Sequence, residues 1–338
     1  MKAFVIRRAL LGLVVLLGVT IMTFMIARVI PSEPAARWVG PKATAEQIAR
    51  ARIELGLDRP LYVQYYRYMS DLLRGDWGMS IRTHQPVMED IKAFLPASLE
   101  LCVVGMAISL VVGIPLGVAS AVRKDSWFDH ANRTFAIAGV SMPTFWLGMI
   151  LQLVFFKELG ILPLGGRISS QMRWIAPFPR VTGAYLLDTV ISGNMVAFKD
   201  ALLHIILPAL TLAAYPVGLV MRMTRSSMLE VMGEDYIRVA KAYGLPHLLI
   251  IYRYALKNAI GPTITVVALS FAYSLAGTFL IEAVFSWPGL GYYAALSVIT
   301  VDYPAIMGVT ILIAVFYVIL NTLVDIAHAF LDPRIKIG

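Results

Sequence analysis

Apolar residues in this chain gather into runs too long for one face of a soluble helix. A helix that crosses a bilayer needs about 20 mainly apolar residues. Six stretches meet that length: 9–30, 98–121, 132–156, 202–221, 263–285 and 304–329. Pro143 falls in the third and Pro208 and Pro216 in the fourth, where neighbouring helices and hydroxyls can satisfy the carbonyls they free. The first run, Ala9 to Ile30, is broken only by Arg28. It exceeds the roughly 7–15 residues of a signal peptide's apolar core, and no small-residue cleavage site follows it. The expected fold is therefore all-α, a polytopic membrane protein with six transmembrane helices.

The polar stretches between these runs have patterns of their own. In 31–97, "TAEQIARARIELGL" places Gln47 three residues after Thr44, a capping box, and spaces Ile48, Ile53 and Leu55 at near-helical intervals. A second amphipathic helix is expected after Pro60, ending near Gly75, in "RPLYVQYYRYMSDLLRGDWG". Eight acids nearly balance nine bases between 31 and 96, so this segment reads as a solvated cap or as a docking surface for an external partner. In 157–201, "YLLDTVISG" is apolar but too short to span, which suggests an interfacial helix. "SWPGLG", Ser286 to Gly291, reads as a tight reversal. The organisation expected is 1–30 as terminal segment and first helix, 31–97 as an outer loop, and 98–338 as a five-helix core. That core would carry an outer loop at 157–201 and an inner loop at 222–262.

Composition agrees with this reading: 59% of the residues are hydrophobic and 15% charged, against about 25% charged in soluble domains. The net charge of +8 forms no basic stripe with interleaved aromatics, so nucleic acid is not an expected partner. The bases instead lie between apolar runs and set orientation. With both termini in the cytoplasm, the inner segments hold Lys2, Arg7, Arg8, Arg123, Lys124, Arg133, Arg222, Arg225, Arg238, Lys241, Arg253, Lys257, Arg334 and Lys336, and the short loop Trp287 to Tyr303 holds none. The single cysteine, Cys102, lies in an apolar run and excludes a disulfide framework or a cysteine-based zinc site.

Catalytic patterns are missing. The chain has no G-x-x-x-x-G-K-[ST], no H-E-x-x-H and no G-x-S-x-G, and its five histidines have no ligand spacing. Three acids fall within apolar runs: Glu100 and Glu282 near the outer ends of the second and fifth, and Asp325 near the inner end of the sixth. Intramembrane acids are candidates for function, but these lie near interfaces, where pairing with a neighbour is the competing reading.

The inner loop holds "EDYIRVAKAYGL", Glu234 to Leu245. Tyr236, Val239, Tyr243 and Leu245 fall near one helical face, Arg238, Lys241 and Ala242 fall elsewhere, and Ala240 and Ala242 permit close approach. Gly244 followed by Leu245 and Pro246 is a helix stop. The expected product is a short capped cytoplasmic helix. Here the chain resembles the inner-membrane permease subunits of ATP-binding-cassette importers of the dipeptide, oligopeptide and nickel type. Their docking loop carries a loose E-A-A-x-x-x-G pattern, matched by Arg238-Val239-Ala240-x-x-x-Gly244, with Arg and Val in place of the first two residues. "LPASLEL", "GIPLGVASAVRK", "SMPTFWLGM", "EAVFSWPGLG", "DYPAIMG" and "DPRI" extend the resemblance over most of the chain, least so at 169–201.

That resemblance implies a type I importer fold. It also implies a second homologous permease subunit, a heterodimer being expected, two cytoplasmic ATPases and an extracytoplasmic solute-binding protein. ATP and Mg would sit on the ATPases, and this chain would bind no cofactor and no metal. It places ATPase coupling at Asp235, Tyr236, Arg238, Ala240, Lys241, Ala242, Gly244 and Leu245. For the translocation pathway the candidates are Ser141, Met142, Pro143, Ser270, Tyr273, Ser274 and Thr278. Ser270, Ser274 and Thr278 form one stripe at i, i+4 and i+8, which helix packing would explain equally well. The solute expected is a di- or oligopeptide, with nickel, opines or glycosides as alternatives. A stand-alone secondary transporter and a membrane enzyme are the competing classes.

Overall fold

The computed structural model describes residues 2–29, 34–40, 42–54 and 56–331. Leu55, Arg334 and Lys336 lie outside these, as do the side chains of Lys2 and Asp325. The described residues are helical apart from short loops: α1 (Lys2–Val29), α2 (Pro34–Val39), α3 (Ala45–Glu54), α4 (Leu61–Leu73), α5 (Val87–Val122), α6 (Trp127–Ser141), α7 (Thr144–Leu151), α8 (Met172–Ile175), α9 (Tyr185–Ile191), α10 (Met195–Met232), α11 (Asp235–Ala242), α12 (His247–Leu249), α13 (Lys257–Gly277), α14 (Phe279–Val284), α15 (Leu290–Thr300) and α16 (Tyr303–Leu331). Two π-helical stretches, Gln152–Glu158 and Ile250–Leu256, continue α7 and α12. Among the described residues five helices are long and apolar enough to cross a membrane, or six if the bent pair of α6 and the segment 144–158 counts as one span. The fold is an all-α, multi-pass membrane architecture.

The third expected span is not one helix. α6 and the segment 144–158 meet at a bend of 107°. Met142 is extended (φ −82°, ψ 130°) between them, the conformation imposed on a residue that precedes proline. Pro208 and Pro216, by contrast, lie inside a continuous α10. The fifth span also departs from expectation, since α13 ends at Gly277 and α14 resumes after Thr278. α5 and α10 overrun their apolar runs because helical hydrogen bonding does not stop where hydrocarbon does. At 1.5 Å per residue, 38-residue α10 is about 57 Å long, nearly twice a bilayer's apolar thickness.

The chain divides into two compact units. The first comprises 1–95 and 292–319. In it Phe24, Ala27, Tyr303 and Met307 form a core against which Tyr65 and Tyr68 pack, and Thr20 and Tyr65 share a hydrogen bond of 2.9 Å. The capping box forms in both directions: Thr44 N–H donates to Gln47 Oε1 at 2.8 Å and Gln47 N–H to Thr44 Oγ1 at 3.3 Å. Asp302 accepts from Ser80 Oγ at 2.5 Å and from Arg82 N–H at 3.1 Å. Tyr293 donates to Asp90 at 2.9 Å. Burial and that carboxylate push its phenol above the usual range.

The second unit comprises 96–291 and 320–338. Its centre is α10. Gly113 and Gly117, a G-x-x-x-G pair on α5, let the α10 backbone come close. A Cβ on Gly117 would stand 2.7 Å from the Met221 carbonyl oxygen. Thr224 on α10 and Thr263 on α13 are joined by a buried hydroxyl pair at 3.1 Å.

Of the three acids flagged within apolar runs, the two with described side chains, Glu100 and Glu282, both have partners. Glu100 takes Arg167 Nη2 at 2.5 Å and Leu186 N–H at 2.6 Å. Glu282 accepts from Ser98 Oγ at 2.5 Å, and that hydroxyl accepts Leu290 N–H at 2.7 Å. The reversal expected at "SWPGLG" is present between α14 and α15, with Trp287 Nε1 donating to the Ala97 carbonyl at 2.9 Å.

Candidate functional site

The segment 233–246 folds as its composition dictates. Glu234 is extended (φ −69°, ψ 150°) and α11 starts at Asp235, an acid in the first turn, where the helix dipole favours it. The helix ends in a Schellman motif. Gly244 N–H donates to the Lys241 carbonyl at 3.0 Å and Leu245 N–H to the Ala240 carbonyl at 3.3 Å. Gly244 sits at φ +69°, the left-handed position that glycine takes at least cost. Leu245 packs back toward Ala240, and Pro246 prevents continuation.

One face of α11 is anchored. Ile237 is fully buried and Ala240 nearly so, in a cluster with Val118 and Ala121 of α5, Met228 of α10, and Ile250, Ile251, Ala255 and Ala259 of the following helix. The other face is open. Tyr236, Val239 and Tyr243 are 40, 52 and 82% exposed, with Leu248 and Tyr252 also exposed beyond them. Asn258 donates to the Tyr236 hydroxyl at 3.1 Å, holding that ring to the start of α13. Arg238 pairs with Asp235 of its own helix at 3.1 Å, both ends largely in solvent. Such a pair contributes little stability and is available for exchange with another acid.

Of the eight coupling residues expected from sequence, Asp235, Tyr236, Arg238, Lys241, Ala242 and Gly244 are exposed, Leu245 is half-buried and Ala240 belongs to the anchoring face. Ile237, the centre of that face, was not expected. Its spacing of three from Ala240 was the available signal.

A second lock lies nearby. Arg225 donates to Asp129 through Nε and Nη2, both at 2.6 Å, and Asp129 is fully buried. Asp125 N–H also donates to Asp129, at 3.1 Å, while Asp129 N–H donates to Ser126 at the start of α6. This bidentate pair ties α6 to α10. Neither partner stood out in the sequence, where Arg225 reads as one of several inner-side bases.

The pathway candidates separate into groups. Ser141 lines a cavity of about 480 Å³ together with Arg133, Arg222, Arg225 and Ser226. Ser270 and Tyr273 line a second of about 430 Å³, with Tyr215, Arg222 and Ser226. Arg222 and Ser226 therefore face both. Met142 and Pro143 form the bend beside Ser141, and Ser274 is half-buried. Thr278 is fully buried and its hydroxyl has no partner among the described residues. The expected stripe of Ser270, Ser274 and Thr278 thus turns from a cavity wall into the packed interior as it runs toward α14.

Comparison with known proteins extends the picture over the whole chain. The profile of the family described as binding-protein-dependent transport system inner membrane component matches residues 113–337, and that of its N-terminal counterpart matches residues 1–102. The chain belongs to this family. It is a permease subunit and a multi-pass protein of the inner membrane, not a member of an enzyme family. It is 47% identical over 335 residues to the probable D,D-dipeptide transport system permease protein DdpB of Escherichia coli (strain K12), covering 99% of this chain and 98% of that one. It is 42% identical to the dipeptide transport system permease protein DppB of Alkalihalophilus pseudofirmus, over 99% of this chain and 100% of the relative. With the glutathione transport system permease protein GsiC of Salmonella paratyphi A the identity is 36%, over 99% of each chain.

Proposed function

We propose that this permease forms half of the pore of an ATP-driven importer that brings di- and oligopeptides across the cytoplasmic membrane. The observation that carries the coupling half of this reading is α11. Its Ile237–Ala240 face is rooted in the inner ends of three membrane helices, while Tyr236, Val239 and Tyr243 stand outward. An apolar face kept in water on a short helix suits a groove in a partner. The partner proposed is a cytoplasmic ATPase, two per assembly, carrying ATP and Mg; this chain binds no cofactor itself. A homologous but distinct permease subunit completes the pore, and an external binding protein delivers the solute, facing the 31–97 segment. Relatives transporting dipeptides and glutathione, by their names, support a peptide substrate.

When the ATPases close, α11 is pushed. Because its anchoring face is continuous with α5, α10 and the helix that follows it, the push reaches helices that line both cavities. Ser141, Met142, Pro143, Ser270 and Tyr273 are the proposed pathway residues, and the 107° bend at Met142 is a place where α6 can change angle.

The test is purification of the assembly from its native membrane, followed by ATPase assay with and without dipeptide-loaded binding protein. Stimulated hydrolysis that is lost in Gly244→Val supports coupling through α11. A chain that purifies with no ATPase and still moves solute with a proton gradient overturns it in favour of a secondary transporter. Competition of labelled dipeptide uptake by nickel, opines or glycosides tests the substrate class.

A further inference from the structure

The two cavities that meet at α10 carry an uncompensated charge. Three arginines line them, Arg133, Arg222 and Arg225, and no acid does. Arg225 is neutralised by Asp129 through two hydrogen bonds of 2.6 Å. Arg222 and Arg133 are exposed and have neither a hydrogen-bond nor an ion-pair partner among the described residues. The same wall therefore shows what a satisfied guanidinium looks like here and leaves two unsatisfied. Arg222 is the more telling of the two, because it borders both cavities.

Its position matters. Arg222 follows directly on the apolar stretch 202–221, so it stands at the inner end of the membrane span. An arginine turned to lipid there is costly, and intramembrane cations usually face water or a partner charge. Around it are neutral donors that suit an anion: the hydroxyls of Ser141, Ser226 and Ser270 and the phenols of Tyr215 and Tyr273. A guanidinium presents a planar fork that matches a carboxylate through two parallel hydrogen bonds.

We propose that Arg222, with Arg133 beside it, is a carboxylate station at the inner mouth of the pathway, where the C-terminal carboxylate of a transported peptide rests before release. This deepens the peptide reading above and rests on it. The station is a single open contact in a wet cavity rather than an enclosed site, as passage requires: binding must be favourable enough to enter and weak enough to leave.

The native Cys102 is fully buried, so Ser226→Cys places one accessible thiol between the two cavities. In the assembled, nucleotide-free transporter, its modification rates by a sulfonate-bearing and a trimethylammonium-bearing methanethiosulfonate are compared. A cationic cleft should favour the anionic reagent by about tenfold or more, and Arg222→Gln should bring the two rates toward parity. Arg222→Lys keeps the inner positive charge that orients the helix, and assembly yield in that variant checks folding. A dipeptide with a free carboxylate should protect the thiol, and its C-terminal amide should not. Equal rates for the two reagents in the parent would overturn the proposal, as would equal protection by acid and amide. Measurements in phosphatidylcholine vesicles with and without phosphatidylglycerol distinguish the other source of an anion. Protection by the acidic lipid and none by peptide would assign the cavity to a headgroup, and the proposal would fall. The reagent-charge preference does not depend on which solute is carried. If it persists while no peptide protects, the substrate reading has failed and the cationic cleft stands.

Discussion

The segment that leads into α9 is pinned by a buried ion pair, and breaking it has a calculable consequence. Arg167 and Glu100 have side chains only 6 and 5% exposed, at 2.5 Å. Arg167 also donates to the Gly183 carbonyl at 2.8 Å and lies 3.7 Å from the Tyr185 ring centroid, while Glu100 takes Leu186 N–H. One salt bridge thus holds α5 to the residues just before α9 and to its first turn. Glu100→Ala leaves a buried guanidinium without its counter-charge, a change that costs about 3–5 kcal/mol. If this is expressed as local opening of the loop, amide hydrogen exchange across 183–191 should accelerate by more than about 100-fold, since 1.4 kcal/mol is a factor of ten. Hydrogen exchange with mass spectrometry on the assembly in nanodiscs reads this directly, with α13 as internal reference. Glu100→Gln keeps the acceptor oxygen and should fall between. The double variant Glu100→Met, Arg167→Met should lie closer to the parent than either single loss, because no charge is then stranded; Arg167 Nε already lacks a partner among the described residues. Exchange in Glu100→Ala within about threefold of the parent, well below the tenfold of 1.4 kcal/mol, would refute the assignment of this pair as the fastening of the loop.

Three further outcomes are expected. Gly244→Val forces a β-branched residue into a left-handed backbone position at a cost of about 1–2 kcal/mol, with open space around it; the assembly should still form, and stimulated ATP hydrolysis should drop well below the parent while Gly244→Asn retains more. Asp129→Asn should lower the thermal midpoint of the purified assembly, because Arg225 loses a bidentate charge partner, and Arg225→Lys should lower it less than Arg225→Ala. Thr278→Val replaces a buried hydroxyl that has no partner among the described residues with a methyl of similar shape, so stability should hold or rise and transport should be unchanged; a loss of transport would mean that Thr278 meets the solute.

What could be read from the chain divides along a physical line. Features that depend on local chemistry were legible: the Thr44–Gln47 box, the stop at Gly244, Leu245 and Pro246, the short helix of "YLLDTVISG" and the reversal of "SWPGLG". Each needs only residues a few positions apart. Helix limits were not, because hydropathy marks the hydrocarbon and says nothing of the turns that continue in water at the ends of α5 and α10. The break at Met142 was hidden for a related reason. Five prolines sit inside helices among the described residues, at 96, 115, 208, 216 and 262, so proline alone does not announce a bend. Partnerships across tens of residues were invisible: Glu100 drew attention as an intramembrane acid, but nothing near Arg167 marked it as the other half. In the same way the sequence groups Tyr236, Val239, Tyr243 and Leu245 near one face, and only packing shows that the first three point outward while Leu245 joins Ile237 on the side that holds the helix down.

That inversion bears on how force can pass through the chain. A helix whose largest apolar residues were its anchor would be fixed to the core but would offer a partner only charges, which physiological salt screens within about 8–10 Å. Here the anchor is small and dense, one isoleucine and one alanine against inner helix ends, and the aromatic rings are left for the outer contact. Truncating the two faces should therefore have separable effects. Ile237→Ala removes buried methyl groups and should lower stability by about 2–5 kcal/mol while leaving the outward rings in place. Tyr243→Ala, at 82% exposure, should leave stability unchanged and weaken recovery of the ATPase. A Tyr243→Ala variant that is destabilised, or an Ile237→Ala variant that is fully stable, would show that the anchored and the offered face had been assigned the wrong way round.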